Sequence, residues 1–507
     1  MNWHGAAETA AGIAASWTGE GGPGGAILLF DEAGPRAEAC GGLAAIETGT
    51  AFAADTIVRY ASISKHFLAS LLLASSATVP DAIGLGDRLG EHLPMLQPAL
   101  GGVSVGHALD MTGGLPDAME TLWLLGVPLT AAIGRAALLR FVASLDAVNF
   151  APGSELSYSN TGYRLVEAAL QAKGVDYAAA LRARFFAPLG LGISLAEDWA
   201  TPVAGLAPGY WRGPRGWERG QYGMHFSASG GLTGSARDLA VWAQALLADR
   251  PPTKALLQRL STPRHMADGR PSGYGLGLAS TEPWGRPLVG HGGSLPGYKN
   301  HFLLDPDARA GVVVLANRED ADAQDIALRV MAALHGATLP EPAAPDALPP
   351  GLFAAEAGPF WLRTGGGRAS FLGAEETLYP QPDGALASRS ATLPMRLRAT
   401  ADGGIAGEIG HAARQFRPVP PDAQIEPGWS GVWVCAAQGA RVTVADGALT
   451  TGVGPLRETR PLQPIGGGRA LIERQSGAWR QVACLSFAGG TLDLATNRSR
   501  VLRFRRG

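Results

Sequence analysis

The sequence predicts a mixed α/β domain followed by an all-β region. In the first part of the chain, strand-like runs such as residues 26–30 and 312–316 are mixed with longer helical patterns such as residues 65–74 and 237–247. Beyond a proline-rich break, short alternating runs are interrupted about every 8–12 residues by Gly or Asp-Gly, a spacing typical of antiparallel β structure. We therefore expect an α/β or α+β domain first and antiparallel sheets after it.

The end of the α/β domain is marked by three consecutive signals. Residues 300–316 predict a β-hairpin with its turn at Asp305-Pro306-Asp307, and residues 321–335 predict a closing helix. The segment that follows is rich in proline and can hold neither a helix nor a central strand. We therefore place a first domain at residues 1–337 and a linker at residues 338–350.

A second proline-rich break, at residues 418–422, divides the all-β part into residues 351–418 and 419–507. Each piece opens with an aromatic run after a glycine, Gly358-Pro359-Phe360-Trp361 and Gly431-Val432-Trp433. We predict two small antiparallel β-barrels, which could be two copies of one unit. Because the internal similarity is weak, one larger sandwich is the alternative.

Length and charge narrow the classes of function. A chain of 507 residues is too long for one hydrophobic core. The net charge is −2 and no block of Lys or Arg occurs, so we expect no binding of nucleic acid or of an anionic membrane surface. No apolar stretch of about 20 residues predicts a membrane-spanning helix. Small molecules or peptides are the default partners.

The N-terminus and the cysteines predict the compartment. The first residues lack the basic segment and long apolar run of a secretory signal. Cys40, Cys435 and Cys484 are far apart and lack metal-ligand spacing, so we expect buried, reduced thiols. These features predict a cytoplasmic protein with no cofactor and no metal. The oligomeric state is left open, with a homodimer as one option.

The strongest chemical motif is Ser62-Ile63-Ser64-Lys65, at the start of an apolar helical run. In a helix, side chains three residues apart leave the same face one turn apart, so Lys65 can reach the Ser62 hydroxyl. Unpaired N–H groups and the helix dipole at the first turn favour negative charge developing at Ser62. Lys65 is one of only four lysines, and no other lysine has a serine three residues before it.

Two further motifs could complete a site. Tyr158-Ser159-Asn160 lies on a turn-rich stretch before a helix, where a phenol and an amide two residues apart suit proton transfer and substrate binding. The alternative is that Asn160 only caps a helix beginning near Tyr163. In the strand-like segment His291-Gly292-Gly293-Ser294, the glycines indicate close approach of a backbone or ligand, although His291 could be an ordinary strand-end histidine.

Together these motifs, in this order, resemble the serine β-lactamase and penicillin-binding protein superfamily, whose pattern is S-x-x-K, then Y-x-N or S-x-N, then K-T-G or H-x-G. The resemblance covers about residues 1–335 and implies an antiparallel sheet flanked by helices. Five more stretches look like esterase and peptidase members of that superfamily: residues 55–59, 112–116, 229–232, 236–239 and 273–277.

The resemblance implies a role for each matching residue. Ser62 would be the nucleophile, Lys65 the base that activates it, and Tyr158 the group that passes the proton to the leaving group. Asn160 would bind the substrate backbone, and the N–H groups of Ser62 and Ser294, the residue after Gly293, would form the oxyanion hole. For this role the pKa of Lys65 must be lowered by desolvation or by the nearby phenol.

One departure from the lactamase pattern bears on the substrate. His291, mostly neutral at pH 7, replaces the lysine that attracts a substrate carboxylate. No acidic residue can be assigned as a deacylation base like that of class A lactamases. An ester, or a peptide bond whose substrate is anchored elsewhere, therefore fits better than a β-lactam or a D-alanyl carboxylate.

A catalytic domain with two small β domains behind it is similar to bacterial D-aminopeptidases. That resemblance implies release of N-terminal D-residues from small peptides or amides, with an extension of the last barrel recognising the substrate amine. The candidate loop is residues 466–477, whose only acid is Glu473. The alternatives are a carboxylesterase or acyl transferase of the same fold, and less favoured, a β-lactamase or DD-peptidase.

Overall fold

A six-stranded antiparallel sheet forms the centre of the α/β part in a computed structural model that describes residues 1–75 and 82–507. Its strands are, in spatial order, Ala279–Thr281, Leu288–Leu295, Tyr298–Asp305, Ala310–Ala316, Gly25–Asp31 and Gly34–Gly41. Alternate residues of the two inner strands face different cores: Leu28 and Val313 face one, Leu29 and Val312 the other. Both faces are covered, which explains why these strands read as continuous apolar runs.

Helices cover the sheet on both sides. Trp3–Gly19 and Ala323–His335 pack on one face, and Ala236–Ala248 packs on the other. The predicted hairpin and closing helix are therefore confirmed. Shorter helices come from the stretch of chain between the strands Gly34–Gly41 and Ala279–Thr281: Lys65–Ser75, Leu89–His92, Pro98–Gly101, Val105–Leu109, Ala118–Leu124, Arg135–Ala143, Asn160–Ala172, Tyr177–Leu181, Ala187–Leu189 and Leu256–Ser261. This helical region faces the edge of the sheet and leaves a cleft between them.

Short sheets support this region. Val58–Arg59 pairs with Leu232–Gly234, which also pairs with Ser194–Leu195. Two small hairpins complete the α/β part, and their strands are Leu43–Ala45 with Thr50–Ala51 and Tyr210–Gly213 with Gly216–Arg219. The strand Val58–Arg59 leads directly into the turn that carries Ser62.

The first all-β piece is a closed eight-stranded antiparallel barrel, as predicted. Its strands are Gly351–Ala354, Trp361–Gly365, Arg368–Phe371, Ala374–Pro380, Leu386–Ser388, Met395–Ala399, Ile405–Ile409 and Ala412–Pro418. The first strand pairs with the last, so the ring has no free edge. Its apolar core is separate from that of the α/β part.

The second all-β piece is one nine-stranded antiparallel sheet. Its spatial order is Glu458–Pro461, Ala448–Thr451, Ala440–Ala445, Gly431–Cys435, Leu502–Arg506, Thr491–Ala495, Trp479–Ala488, Arg469–Ser476 and Gln463–Gly466. Only Leu462 separates the two end strands in the chain, so the sheet curls until it is nearly closed. Two rolled sheets are thus present rather than one sandwich, and their different strand numbers argue against two copies of one unit.

The two β units differ in how they join the rest of the chain. Trp433, Leu485 and Phe504 of the nine-stranded sheet belong to the same apolar core as the α/β part. The domain limits at residues 337, 350 and 418 stay predictions. Cys435 and Cys484 are buried as expected, whereas Cys40 is only half-buried because its strand lies at a sheet edge. No described helix is long and apolar enough to cross a membrane.

Candidate active site

Ser62 lies in a tight 3-10 turn, Ala61–Ser64, that leads directly into the helix Lys65–Ser75. Ala61 has a φ of 54°, a left-handed conformation that is costly for a residue with a side chain and that recurs at functional sites. The strand Leu288–Leu295 passes close behind this turn. A Cβ on Gly293 would lie 2.1 Å from Tyr60 O, so only glycine allows the approach.

Lys65 is fully buried and has three oxygen atoms around its amine. Its Nζ lies 3.1 Å from Ser62 Oγ, 2.8 Å from Asn160 Oδ1 and 2.8 Å from the carbonyl oxygen of Ser229. A neutral amine has two N–H groups and one lone pair. Asn160 Oδ1 and Ser229 O can only accept, so they take both N–H groups and leave the lone pair for the Ser62 hydroxyl.

The surroundings of Lys65 favour that neutral form. Burial lowers the pKa of Lys65 well below its usual value; Asp117 opposes this shift, and the cations Arg498 and Arg164 add to it. A lysine that is deprotonated near neutral pH can accept the Ser62 proton, which an ordinary lysine cannot. The geometry therefore places a candidate nucleophile and a candidate base within one turn.

Asn160 is held in one orientation by Asp117. Its backbone N–H and its Nδ2 both donate to Asp117 Oδ2, each at 2.9 Å, which leaves Oδ1 directed at Lys65. The helix Asn160–Ala172 begins at this residue, and its N-cap is Ser159, which accepts from Thr161 N–H. The simple capping alternative for Asn160 is therefore wrong, because the neighbouring serine already does this and the amide is free to contact Lys65.

Tyr158 lies next to Ser62 and Lys65. Its ring centre is 4.8 Å from Lys65 Nζ, and the guanidinium carbon of Arg498 lies 4.8 Å from that centre. Burial raises the pKa of the Tyr158 phenol well above its usual value, and Ser62 and Arg498 oppose the rise. Its buried hydroxyl has no well-formed hydrogen bond to any described residue. It is close enough to Ser62 to exchange a proton once a substrate closes the gap.

His291 is a buried neutral imidazole at the edge of the cleft. Burial lowers its pKa to about 3, and Lys65 adds to the shift. Its Nδ1 lies 2.5 Å from Gly292 O, an acceptor, so the ring proton is on Nδ1 and Nε2 accepts from the Tyr274 hydroxyl at 2.8 Å. His291 therefore offers a substrate no positive charge, in agreement with the reading of the sequence.

Ser294 lies on the same strand and is exposed to the cleft. The neighbouring strand Ala279–Thr281 pairs only with residues 288–290, so the edge beyond them is open on this side. The Ser294 side chain accepts from Lys299 Nζ at 2.8 Å, and Lys299 also pairs with Glu319 at 2.7 Å. The oxyanion role of the Ser294 N–H stays a prediction.

All the site residues predicted from the sequence line one cleft of about 730 Å³. The exception is Lys65, which is buried beneath Ser62 but contacts it directly. Tyr222 and His225 also line the cleft, whereas Trp211 and Trp217 do not.

Both β units reach this cleft, but not through the predicted loop. Residues 466–477 consist mainly of the strand Arg469–Ser476, which pairs along its whole length with Trp479–Ala488. The loop prediction is wrong because the hydrogen-bonded ladder continues through the Gly-rich end. Glu473 instead pairs with Arg480 on the surface, at 2.6 Å.

The parts of the β units that do line the cleft are the hairpin turn after Gly477, the loop that carries Arg498 and one turn of the barrel. The lining residues are Ala478, Trp479, Arg480, Arg498, Arg389, Ser390, Ala391 and Thr392. No local pattern in the sequence indicates these contacts. Asp117 could have been found, because an Asp before an apolar helical run is a typical N-cap, and its side chain caps the helix Ala118–Leu124.

The fold and the arrangement of Ser62, Lys65, Tyr158 and Asn160 define an active-site serine protein built on a sheet with helices on both sides. Residues 10–336 match the Beta-lactamase family model, and the chain belongs to that family. It is 30% identical over 320 residues to a D-aminopeptidase of Gluconobacter oxydans, covering 62% of this chain and 59% of the relative. It is 29% identical over 335 residues to a D-aminopeptidase of Brucella canis, covering 65% and 62%.

The chain thus spans about six tenths of the length of these curated relatives. Two solved structures share the fold. An octameric penicillin-binding protein homologue from Pyrococcus abyssi matches 98% of this chain and 99% of its own, with a TM-score of 0.57 and 17% identity. A D-amino acid amidase from Ochrobactrum anthropi matches 65% and 99%, with a TM-score of 0.54 and 21% identity.

Proposed function

We propose that this protein is a serine hydrolase that removes N-terminal D-residues from small peptides or amides through an acyl-enzyme on Ser62. One observation carries the chemistry: Lys65 Nζ lies 3.1 Å from Ser62 Oγ with its two other oxygen contacts on atoms that can only accept. This arrangement directs the lone pair of Lys65 at the Ser62 hydroxyl.

The reaction follows from the positions of these groups. Ser62 Oγ attacks the substrate carbonyl carbon while its proton passes to Lys65, and the N–H groups of Ser62 and Ser294 would bind the oxygen that becomes negative. The carbon–nitrogen bond then breaks, and the leaving amine takes a proton through Tyr158. Water attacks the resulting ester and gives a proton to Lys65, which passes it to Ser62 Oγ as the carbon–oxygen bond breaks and the acid leaves.

The substrate class rests on charge and on the relatives. His291 is neutral, so the site has no cation where a lactamase would bind a carboxylate. The relatives named D-aminopeptidase share this region of the chain. A carboxylesterase or acyl transferase is the second candidate. It would use the same catalytic and binding groups, which are Ser62, Lys65, Tyr158 and Asn160.

We also propose a cytoplasmic location, with small peptides, amides or esters as partners and no role for nucleic acid or a membrane surface. The support is the net charge of −2 and three cysteines that form no disulfide within the described part of the chain. A homodimer stays a prediction.

The covalent step is tested with Ser62→Ala. We expect loss of nearly all turnover without loss of folding, because the nucleophile is removed and the turn is kept. After quenching with a slow substrate, mass spectrometry should place an acyl adduct on the peptide that contains Ser62. An adduct on another peptide would overturn the assignment.

The substrate class is tested by kcat/KM for D-alanine p-nitroanilide, its L-isomer, its N-acetyl form and p-nitrophenyl butyrate. An aminopeptidase for D-residues should prefer the first of these over its L-isomer and its acetylated form by at least about tenfold, or 1.4 kcal/mol. Equal rates with and without the free amine, together with fast ester turnover, would favour the esterase.

A further inference from the structure

Arg164 and His225 form a polar pair in the wall of the cleft. Arg164 lies on the helix Asn160–Ala172, four residues after Asn160 and therefore on the same face one turn away. Its NH1 donates to His225 Nδ1 at 3.0 Å, and its NH2 donates to His225 O at 2.9 Å. Both side chains line the same cleft as Ser62.

The contact with Arg164 fixes where the His225 proton lies. A guanidinium can only donate, so His225 Nδ1 must accept. Burial lowers the pKa of His225 to about 3, with Arg164 and Arg135 adding to the shift, so the ring is neutral and its one proton is on Nε2. The residue is 5% exposed, and Nε2 has no partner among the described residues. An N–H donor buried without an acceptor costs about 1–3 kcal/mol, which a bound acceptor would recover.

The charge of Arg164 is also left without a counter-ion. No described carboxylate lies within ion-pair distance of its guanidinium, although nearby Arg135 pairs with Glu167 at 2.9 Å. Lys299, another cation of the cleft, pairs with Glu319 at 2.7 Å. Burial lowers the pKa of Arg164, but a guanidinium keeps its charge in proteins. A half-buried cation that has no counter-ion, and whose side-chain partner is a neutral histidine, favours the binding of an anion there.

The surroundings give the ligand its shape. Met119, Leu138, Tyr222 and Met224 line this part of the cleft and offer apolar surface next to the charge. One helical turn spans about 5.4 Å, so Arg164 lies roughly that far beyond Asn160, which touches the base of the nucleophile. A carboxylate at the end of a two-carbon stem would reach from the reacting carbonyl to Arg164.

We propose that Arg164 and the Nε2–H of His225 form a subsite for the side-chain carboxylate of the residue whose carbonyl Ser62 attacks. This inference rests on the proposed function and narrows it to amides and peptides with an N-terminal acidic D-residue, D-glutamyl before D-aspartyl. The stem packs on the apolar wall, and the carboxylate accepts from both donors.

The test compares kcat/KM for the p-nitroanilides of D-glutamate, D-glutamine and D-leucine. The native protein should prefer D-glutamate over the isosteric D-glutamine by at least tenfold. Arg164→Met should lower the ratio of the D-glutamate value to the D-leucine value 10- to 100-fold, because its effect on the pKa of Lys65 slows both substrates alike, and Arg164→Lys should lie between. Arg140→Met is the matched control, because Arg140 is an exposed arginine outside the cleft, and it should change none of the three values.

A second measurement separates this inference from the proposed function. Glutarate, a five-carbon dicarboxylate, should inhibit turnover of p-nitrophenyl butyrate competitively, and Arg164→Met should weaken that inhibition at least tenfold. If N-acetylation does not slow the anilides, the aminopeptidase proposal fails, while glutarate inhibition still supports the subsite. If the native protein hydrolyses D-glutamine anilide as fast as D-glutamate anilide and glutarate does not inhibit it, the subsite is overturned. Neither measurement on the native protein depends on whether a variant folds.

Discussion

The two β units make different kinds of contact with the α/β part. The barrel meets it mainly around Glu155 and Ser272, through Arg414, His411 and an exposed ion pair between Arg270 and Glu408. Its own core stays separate from that of the α/β part. The barrel could be loosened without moving a group that touches Ser62 or Lys65.

The nine-stranded sheet makes direct hydrogen bonds to residues of the candidate active site and to residues next to them. The carbonyl of Arg498 accepts from the N–H of Asp117, the residue that orients Asn160. The buried carboxylate of Glu120 accepts from Thr496 Oγ1 at 2.6 Å and from Arg498 N–H at 3.0 Å. These bonds hold the Arg498 guanidinium over Tyr158. A β unit that lies far along the chain from Ser62 can therefore contribute to the candidate active site, although no local pattern in its sequence indicates this.

A lower pH should produce the largest difference in stability between the two β units. Burial lowers the pKa of His66, His225 and His291 to about 3 and of His301 to about 4, so below about pH 6.5 the unfolded chain binds protons that the folded one does not. Their stabilisation is complete above pH 6.5 and falls toward pH 3, by up to about 1.4 kcal/mol per pH unit for each. All four lie in residues 1–337.

The barrel should respond to acid in the opposite direction. Burial raises the pKa of Glu376 to about 7, so the folded barrel binds a proton that the unfolded one does not, and it gains stability as pH falls from 7 toward 4.5. Hydrogen exchange at pH 7 and 5, corrected for the intrinsic rate, should show the helix Asn160–Ala172 and the nine-stranded sheet losing protection together. Barrel strands such as Trp361–Gly365 should keep theirs, and loss there first would contradict the comparison.

Glu120→Ala and Glu408→Ala compare the two interfaces directly. Removing Glu120 leaves the hydroxyl of Thr496 and the N–H of Arg498 without their acceptor in a buried site, which should cost about 2–4 kcal/mol of unfolding free energy. Glu408 is in an exposed pair, so its loss should cost no more than about 1 kcal/mol. Urea unfolding measures both. Similar losses would show that the nine-stranded sheet is no more closely coupled than the barrel.

Arg498→Met should have the most specific effect. Arg498 lowers the pKa of Lys65, so its removal raises that pKa, and the acidic limb of the kcat profile, where Lys65 becomes protonated, should move to higher pH. At pH 7 we expect about a tenfold lower kcat, equivalent to 1.4 kcal/mol. Arg389→Met is the control, since Arg389 also lines the cleft but stacks over Tyr379 in the barrel. If kcat falls but the acidic limb of its pH profile does not move, Arg498 has a structural role only.

Local rules were enough to predict that Ser62 and Lys65 lie next to each other. The three-residue spacing of Ser62 and Lys65, and the apolar run after them, specify one turn of helix whatever surrounds it. The strands Gly25–Asp31 and Ala310–Ala316 were equally clear, because burial on both faces leaves a continuous apolar pattern. The order of the three motifs then indicated the family.

Long-range contacts account for what the sequence did not show. Arg498 and Arg164 look like ordinary surface arginines in the sequence, and only the packing of distant elements brings them to Tyr158 and His225. The loop prediction at residues 466–477 failed for a related reason. The segment was predicted as a loop from the family resemblance, but pairing with the next strand extends the ladder to Arg469.

The bond between Thr496 and Glu120 joins residues 376 positions apart, and this has a consequence for the protein during its synthesis. At 5–20 residues per second, a ribosome needs about 20 to 75 s to add the segment between them. In that interval Ser62 and Lys65 already exist on a nascent chain, but the guanidinium that lowers the pKa of that lysine does not. A nascent chain that has not yet added Arg498 would therefore lack one of the charges that lower the pKa of Lys65.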